Sequence, residues 1–224
     1  MSIIFDCDSF QILSNNRTGR MINFDEIAQG WCDHTSGNPL TSLVEDFANK
    51  FVQAGMPKKN AFLLVQFVCA WGGVRGNNFQ LFTNSVRQPG RGDEWLRSIL
   101  LKAKQASIAK DYVGAICAFE ETEGLGVSFR SKVLRFLCPN YAAVLDSIIR
   151  EAFGYSNSRF GYFDFVNDCV LIRDALNGKK LLPDGLEAWR TTDVEMGLFI
   201  VARPIARERA TKKKEEKAKA KAKI

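Results

Sequence analysis

Residues 120–155 read E-E-T-E-G-L-G-V-S-F-R-S-K-V-L-R-F-L-C-P-N-Y-A-A-V-L-D-S-I-I-R-E-A-F-G-Y, and the parsing of this stretch decides the fold. A helix ending near Glu123, a short G-L-G-V turn and a second helix over 129–137 give a helix–hairpin–helix unit spanning about 112–137. Glycines in the turn allow positive φ and a close backbone approach. Amides left free there and at the new helix start, around Leu125, Gly126, Val127 and Ser128, can hold a phosphate. The same turn also joins any two packed helices.

Two residues give the stretch its chemistry. Lys132 is expected in the first turn of the second helix, where the positive end of the helix dipole opposes a cation. Dipole and partial burial both weaken its hold on a proton and leave the amine nucleophilic. A lysine that lifts its head to solvent is the plainer reading. Asp146 stands just before Ser147-Ile148-Ile149-Arg150, at a helix N-cap, where accepting an amide hydrogen bond is worth about 1 kcal/mol.

Working outward, the pattern is helical almost throughout. Leu43, Phe47, Phe51 and Ala54 make a one-sided stripe over 42–54, closed by Gly55. Pro57 opens a more apolar, central helix through Trp71. Residues 72–80 read as a loop, Q-P-G-R-G at 88–92 as a sharp turn, and Asp93 as the cap of a helix running to Lys110. Further helices are expected over 111–121, 147–153, 163–176, from 183–189 onward, and over 192–202. Only the first 24 residues, with S-I-I-F and F-Q-I-L, suggest strands. The expectation is a mainly α protein: one helical body over 1–202 and a lysine-rich tail over 203–224.

Charge is divided along the same line. The chain carries +6 overall, and from Arg203 onward ten basic residues face three acids. Taking that +7 from the whole leaves the body at −1. Such a tail attracts phosphates in a salt-sensitive way, although many lysine runs are only solvated chain.

Composition is that of a globular protein, 46% apolar and 25% charged, which excludes collagen-like and fully disordered chains. The apolar run 61–74 is too short to span a bilayer. The acidic M-S-I-I-F-D-C-D start is unlike a signal peptide, so an intracellular, cytoplasmic protein is expected. The six cysteines are at least 21 residues apart and His34 is the sole histidine. That leaves little basis for a structural metal site or a Ser/His/Asp triad.

The order of hairpin, lysine, short linker and aspartate at a helix start resembles the helix–hairpin–helix DNA glycosylases. More closely, S-F-R-S-K-V-L-R-F-L-C-P-N-Y-A-A-V-L-D-S-I-I-R resembles bacterial proteins with an 8-oxoguanine DNA glycosylase-like fold. The resemblance implies a glycosylase-like helical body with a basic C-terminal tail and base excision with associated strand-cleaving lyase chemistry. Lys132 would attack C1′ of the deoxyribose, and Asp146 would position the lysine and stabilise charge on the sugar.

It further implies phosphate contacts at Leu125, Gly126, Val127 and Ser128. Arg150, one turn after Asp146, is a candidate for another phosphate contact, and Arg130 and Arg135, which flank Lys132, would add positive potential. A flipped nucleotide needs an aromatic pocket, for which Trp71, Arg75, Phe129, Phe153 and Tyr155 are candidates. The partner would be double-stranded DNA bound by a monomer, nucleoid-associated through that DNA, with no cofactor, metal or membrane. An 8-oxoguanine-like base is the first expectation. An anti-phage defence enzyme removing bases such as glucosylated hydroxymethylcytosine is the alternative, and a non-catalytic helical DNA-binding module a third.

Overall fold

The computed structural model describes residues 2–13, 20–37, 39–73 and 76–221 of the chain. The N-terminus forms an antiparallel meander of β1 (Ser2–Phe5), β2 (Ser9–Leu13) and β3 (Met21–Asn23). Phe10 pairs with Phe5 on one side and Ile22 on the other. Alternation buries Phe10 and Ile12, as expected for a sheet with one face on a core. Phe24, beside Phe10, carries that face into the first helix.

Helix α1 (Phe24–Gly37) was not expected from the sequence. Its inward face, Phe24, Ile27, Gly30, Trp31 and His34, follows helical spacing. It crosses the last helix, α10 (Thr191–Lys221), where Gly30 meets Gly197. A Cβ on Gly30 would lie 2.7 Å from the Gly197 carbonyl oxygen, and one on Gly197 would lie 2.5 Å from that of Ile27. The two backbones touch because neither residue has a side chain.

Helix α2 (Pro39–Gln53) buries Thr41, Val44, Ala48 and Phe51. The expected stripe is therefore rotated: Leu43 is 67% exposed, and only Phe51 of the four expected residues is fully buried. After a single 3-10 turn at Lys58–Asn60 comes α3 (Ala61–Gly72), which buries Leu64, Val65, Val68 and Cys69. α4 (Asn77–Val86) occupies part of the expected loop. α5 (Asp93–Ile108) is capped by Gly92 at φ 125 and not by Asp93, which lies in the first turn. An acid there favours the helix dipole just the same.

α6 (Tyr112–Cys117) is shorter than expected; Asp111 caps it by accepting from the Gly114 amide at 2.8 Å. Next come α7 (Val127–Leu137), α8 (Ser147–Phe153) and α9 (Arg159–Gly178). No helix forms over 183–189. Asn177 holds that turn-rich return instead, accepting from the Trp189 amide at 2.9 Å and donating to its carbonyl at 3.1 Å. α10 does not stop near Ala202. It continues past Pro204 to Lys221, and Arg209 donates to the carbonyls of Glu151 and Ala152 on α8. No helix among the described residues is long and apolar enough to cross a membrane.

Candidate functional site

The turn between α6 and α7 is set by Gly124, whose φ is +75. A Cβ there would lie 2.1 Å from the Asn78 carbonyl oxygen, so any side chain would drive the turn off α4. Leu125 is buried and pins the turn to the core. Arg130 staples it from within, donating to the carbonyls of Leu125 at 2.6 Å and Ile116 at 3.4 Å. That guanidinium is engaged by backbone, and its burial lowers its pKa. Gly126 is the N-cap of α7 and provides no side-chain cap. Among the described residues, the amides of Gly126, Val127 and Ser128 have no acceptor, the usual state of a helix start.

Lys132 is in the second turn of α7 and not the first, because the helix begins two residues earlier than expected, at Val127. The dipole fades within the first turn, so it is not what weakens the ammonium. Burial lowers the Lys132 pKa, against the opposing pull of Asp146, Glu195 and Cys69. Its Nζ donates to the Gly72 carbonyl at 3.0 Å, in the last turn of α3. The ring of Phe129 lies 4.8 Å below the amine.

Asp146 takes the expected N-cap, accepting from the Ile149 amide at 2.9 Å. Burial raises its pKa, with that amide and Lys132 pulling the other way. Ser131, fully buried, links the two groups: its hydroxyl donates to Ser128 O and accepts from the Leu145 amide at 3.1 Å. The residue before Asp146 is thereby tied to the residue before Lys132.

The two side chains line one cavity of about 200 Å³, with His34, Trp71, Gly72, Val144, Glu195 and Phe199. Of the expected aromatic pocket residues, Trp71 is on this wall, its indole N–H donating to Thr41 Oγ1 at 2.9 Å. Phe129 is beneath the lysine amine. Phe153 and Tyr155 do not line the cavity: both are packed in the core, and the Tyr155 hydroxyl donates to Asp168 at 2.6 Å. Their apolar rings are better buried than left open beside a polar site. Arg75 lies outside the described residues.

Arg135 is not a surface cation. It is 1% exposed, 3.1 Å from Glu45 and 3.5 Å from Glu195, with the Trp71 ring 5.1 Å away. An unpaired buried guanidinium would be costly, and the Glu45 carboxylate and the Trp71 ring offset that cost. Arg150 is half-buried on α8, its Nε without a hydrogen-bond partner.

Sequence reasoning missed His34, Glu195 and Phe199. Burial, reinforced by Arg135 and Arg203, lowers the His34 pKa to about 4. Burial raises Glu195 to about 8, although Arg135, the Val144 amide and Lys132 act in the opposite direction. The available signal was an acid inside the apolar run V-E-M-G-L-F-I-V-A, a position that charged residues rarely take without a partner. The six cysteines are free, and no cluster suited to a metal occurs among the described residues. No family model, curated protein or solved structure matches this chain.

Proposed function

We propose that the cavity shared by Lys132 and Asp146 is a base-excision site, and that the protein is a DNA glycosylase with associated lyase activity. The observation that carries this reading is a partly desolvated lysine amine and a half-buried carboxyl on the wall of one aromatic-sided cavity. The amine attacks C1′, the bond to the base breaks, and the resulting Schiff base allows β-elimination. Asp146 supports the positive charge that develops on the sugar. Gly126, Val127 and Ser128 present amides to a phosphate, and the lysines of α10 add non-specific attraction. An 8-oxoguanine-like base is the first substrate, and a bulky modified phage cytosine the alternative.

Borohydride trapping tests it with an 8-oxoguanine duplex, an abasic-site duplex, unmodified DNA and phage DNA with modified cytosines. A covalent adduct that is lost in Lys132→Gln while DNA binding persists is the expected result. Full activity in that variant would overturn the assignment. A second reading has its own support: Lys132 already caps α3 and Asp146 already caps α8, as in a module that only holds DNA. It predicts salt-dependent binding without base release.

A further inference from the structure

Glu195 has no part in the mechanism above, yet it shares the wall with the groups that do. It is 5% exposed and is carried on α10, while Lys132 comes from α7 and Asp146 from the connection before α8. We propose that Glu195 is the acid that protonates the departing base; this rests on the base-excision reading.

Three observations support it. The first is placement: the carboxyl lines the same 200 Å³ cavity as the nucleophile, which leaves it near any base held there. The second is the set of its partners. Arg135 Nε lies 3.5 Å from Glu195 Oε2 without a hydrogen bond between them. The guanidinium is committed to Glu45 at 3.1 Å and to the rings of Trp71 and Phe136. Arg135 is therefore close enough to steady a carboxylate once formed, while burial outweighs its pull beforehand. The third is that burial keeps the Glu195 carboxyl protonated up to about pH 8 while it pushes the Lys132 amine toward its neutral form. Environments that drive two neighbouring groups apart in this way separate an acid from a nucleophile.

The charged and titratable surroundings are as follows. Lys132 and Arg135 approach from α7, Asp146 from the start of α8, and His34 from α1. Glu45 on α2 acts through Arg135, Arg203 on α10 acts on His34, and Cys69 on α3 acts on Lys132. His34 is neutral above about pH 4 and Cys69 is a thiol up to about pH 12, so neither titrates in the range that matters.

The step balances without a further reactant. The Lys132 nitrogen forms its bond to C1′, the C1′–N bond to the base breaks, and the base leaves with that electron pair. The Glu195 O–H bond breaks and its proton goes to the base nitrogen. As the C=N bond of the Schiff base forms, the C1′–O4′ bond breaks and O4′ takes the proton that the lysine nitrogen sheds. The carboxylate left behind faces Arg135, and solvent returns its proton before the next turnover.

An abasic site has no base to expel, so the two halves of the chemistry separate cleanly in Glu195→Gln. Expected is borohydride trapping on abasic-site DNA at the wild-type rate, with base release from the DNA panel down about 100-fold or more. Wild-type release should also fall above about pH 8, and the variant should lack that fall. Retained trapping also shows that the variant folds. Equal base release in variant and wild type overturns the acid role alone. Equal loss of both activities overturns it too, because Glu195 would then act on Lys132. No base release from any DNA by the wild type overturns this role, and an absence of Lys132 adducts on abasic DNA as well takes the base-excision reading with it.

Discussion

Adding one methyl group at Gly72 tests how Lys132 is aimed. A Cβ there would lie 2.8 Å from Lys132 Cδ, 3.3 Å from its Nζ and 3.4 Å from Phe129. Carbon atoms rest at about 3.5–4.0 Å, so Cδ must retreat by about 1 Å and draw Nζ away from its place. The obstacle is a flexible side chain and not backbone, and Gly72 does not have the positive φ seen at Gly73. The helix itself therefore accepts alanine, which it prefers to glycine by up to about 1 kcal/mol. Gly72→Ala should leave the melting temperature unchanged or slightly raised. A misplacement of about 1 Å at a reacting group costs on the order of 100-fold. Single-turnover borohydride trapping on an abasic duplex should slow by about that factor, with DNA affinity unchanged. Trapping at the wild-type rate would refute the argument that the Gly72 site sets the lysine's position.

Asp146→Asn keeps the cap, since asparagine caps as well as aspartate, but removes the charge that supports the Lys132 ammonium. Thermal stability should hold while the pH midpoint for trapping moves down; a midpoint that moves up would contradict the coupling. Gly197→Ala pushes against the backbone of Ile27. Urea titration should show a loss of about 1–3 kcal/mol, and an unchanged midpoint would mean that α1 and α10 separate freely. Stability should also depend on pH through Glu195, whose pKa rises from 4.5 unfolded to about 8 folded. The folded state then holds the extra proton, so stability falls as pH rises through that window. His34 opposes this only below its unfolded value of 6.5. Between pH 6.5 and 8 urea titrations should lose up to about 1.4 kcal/mol per pH unit, and Glu195→Gln should flatten the slope.

Sequence reading recovered what local chemistry dictates. Asp146 caps α8 because a short acceptor before S-I-I-R has one good use, and 147–153 forms the helix expected. The E-G-L-G turn placed Lys132 in the helix that follows it. What it did not recover depends on contacts between distant residues. Gly30 and Gly197 look like weak points of two helices until the helices are seen to cross there. Leu43 fits an apolar stripe by spacing, but tertiary packing chose Thr41, Val44 and Ala48 instead. Arg135 looks like a surface cation beside Lys132 because Glu45 and Glu195, which bury it, come from elements far apart in the chain. The same distance hid the cavity: Gly72 and Glu195 have no local sign that they meet Lys132.

Continuity of α10 has a mechanical meaning. Its 31 residues span about 46 Å at 1.5 Å each, with Glu195 and Phe199 near one end and the lysine run at the other. The basic end is thus a lever arm joined to the cavity wall, not a tether hung from it. Load applied at the lysines passes down one hydrogen-bonded ladder, which lacks a rung at Pro204. The clamp of Arg209 on α8 acts beyond that missing rung, so a pull on the far end is borne by α8, the helix that Asp146 caps, before it reaches Glu195.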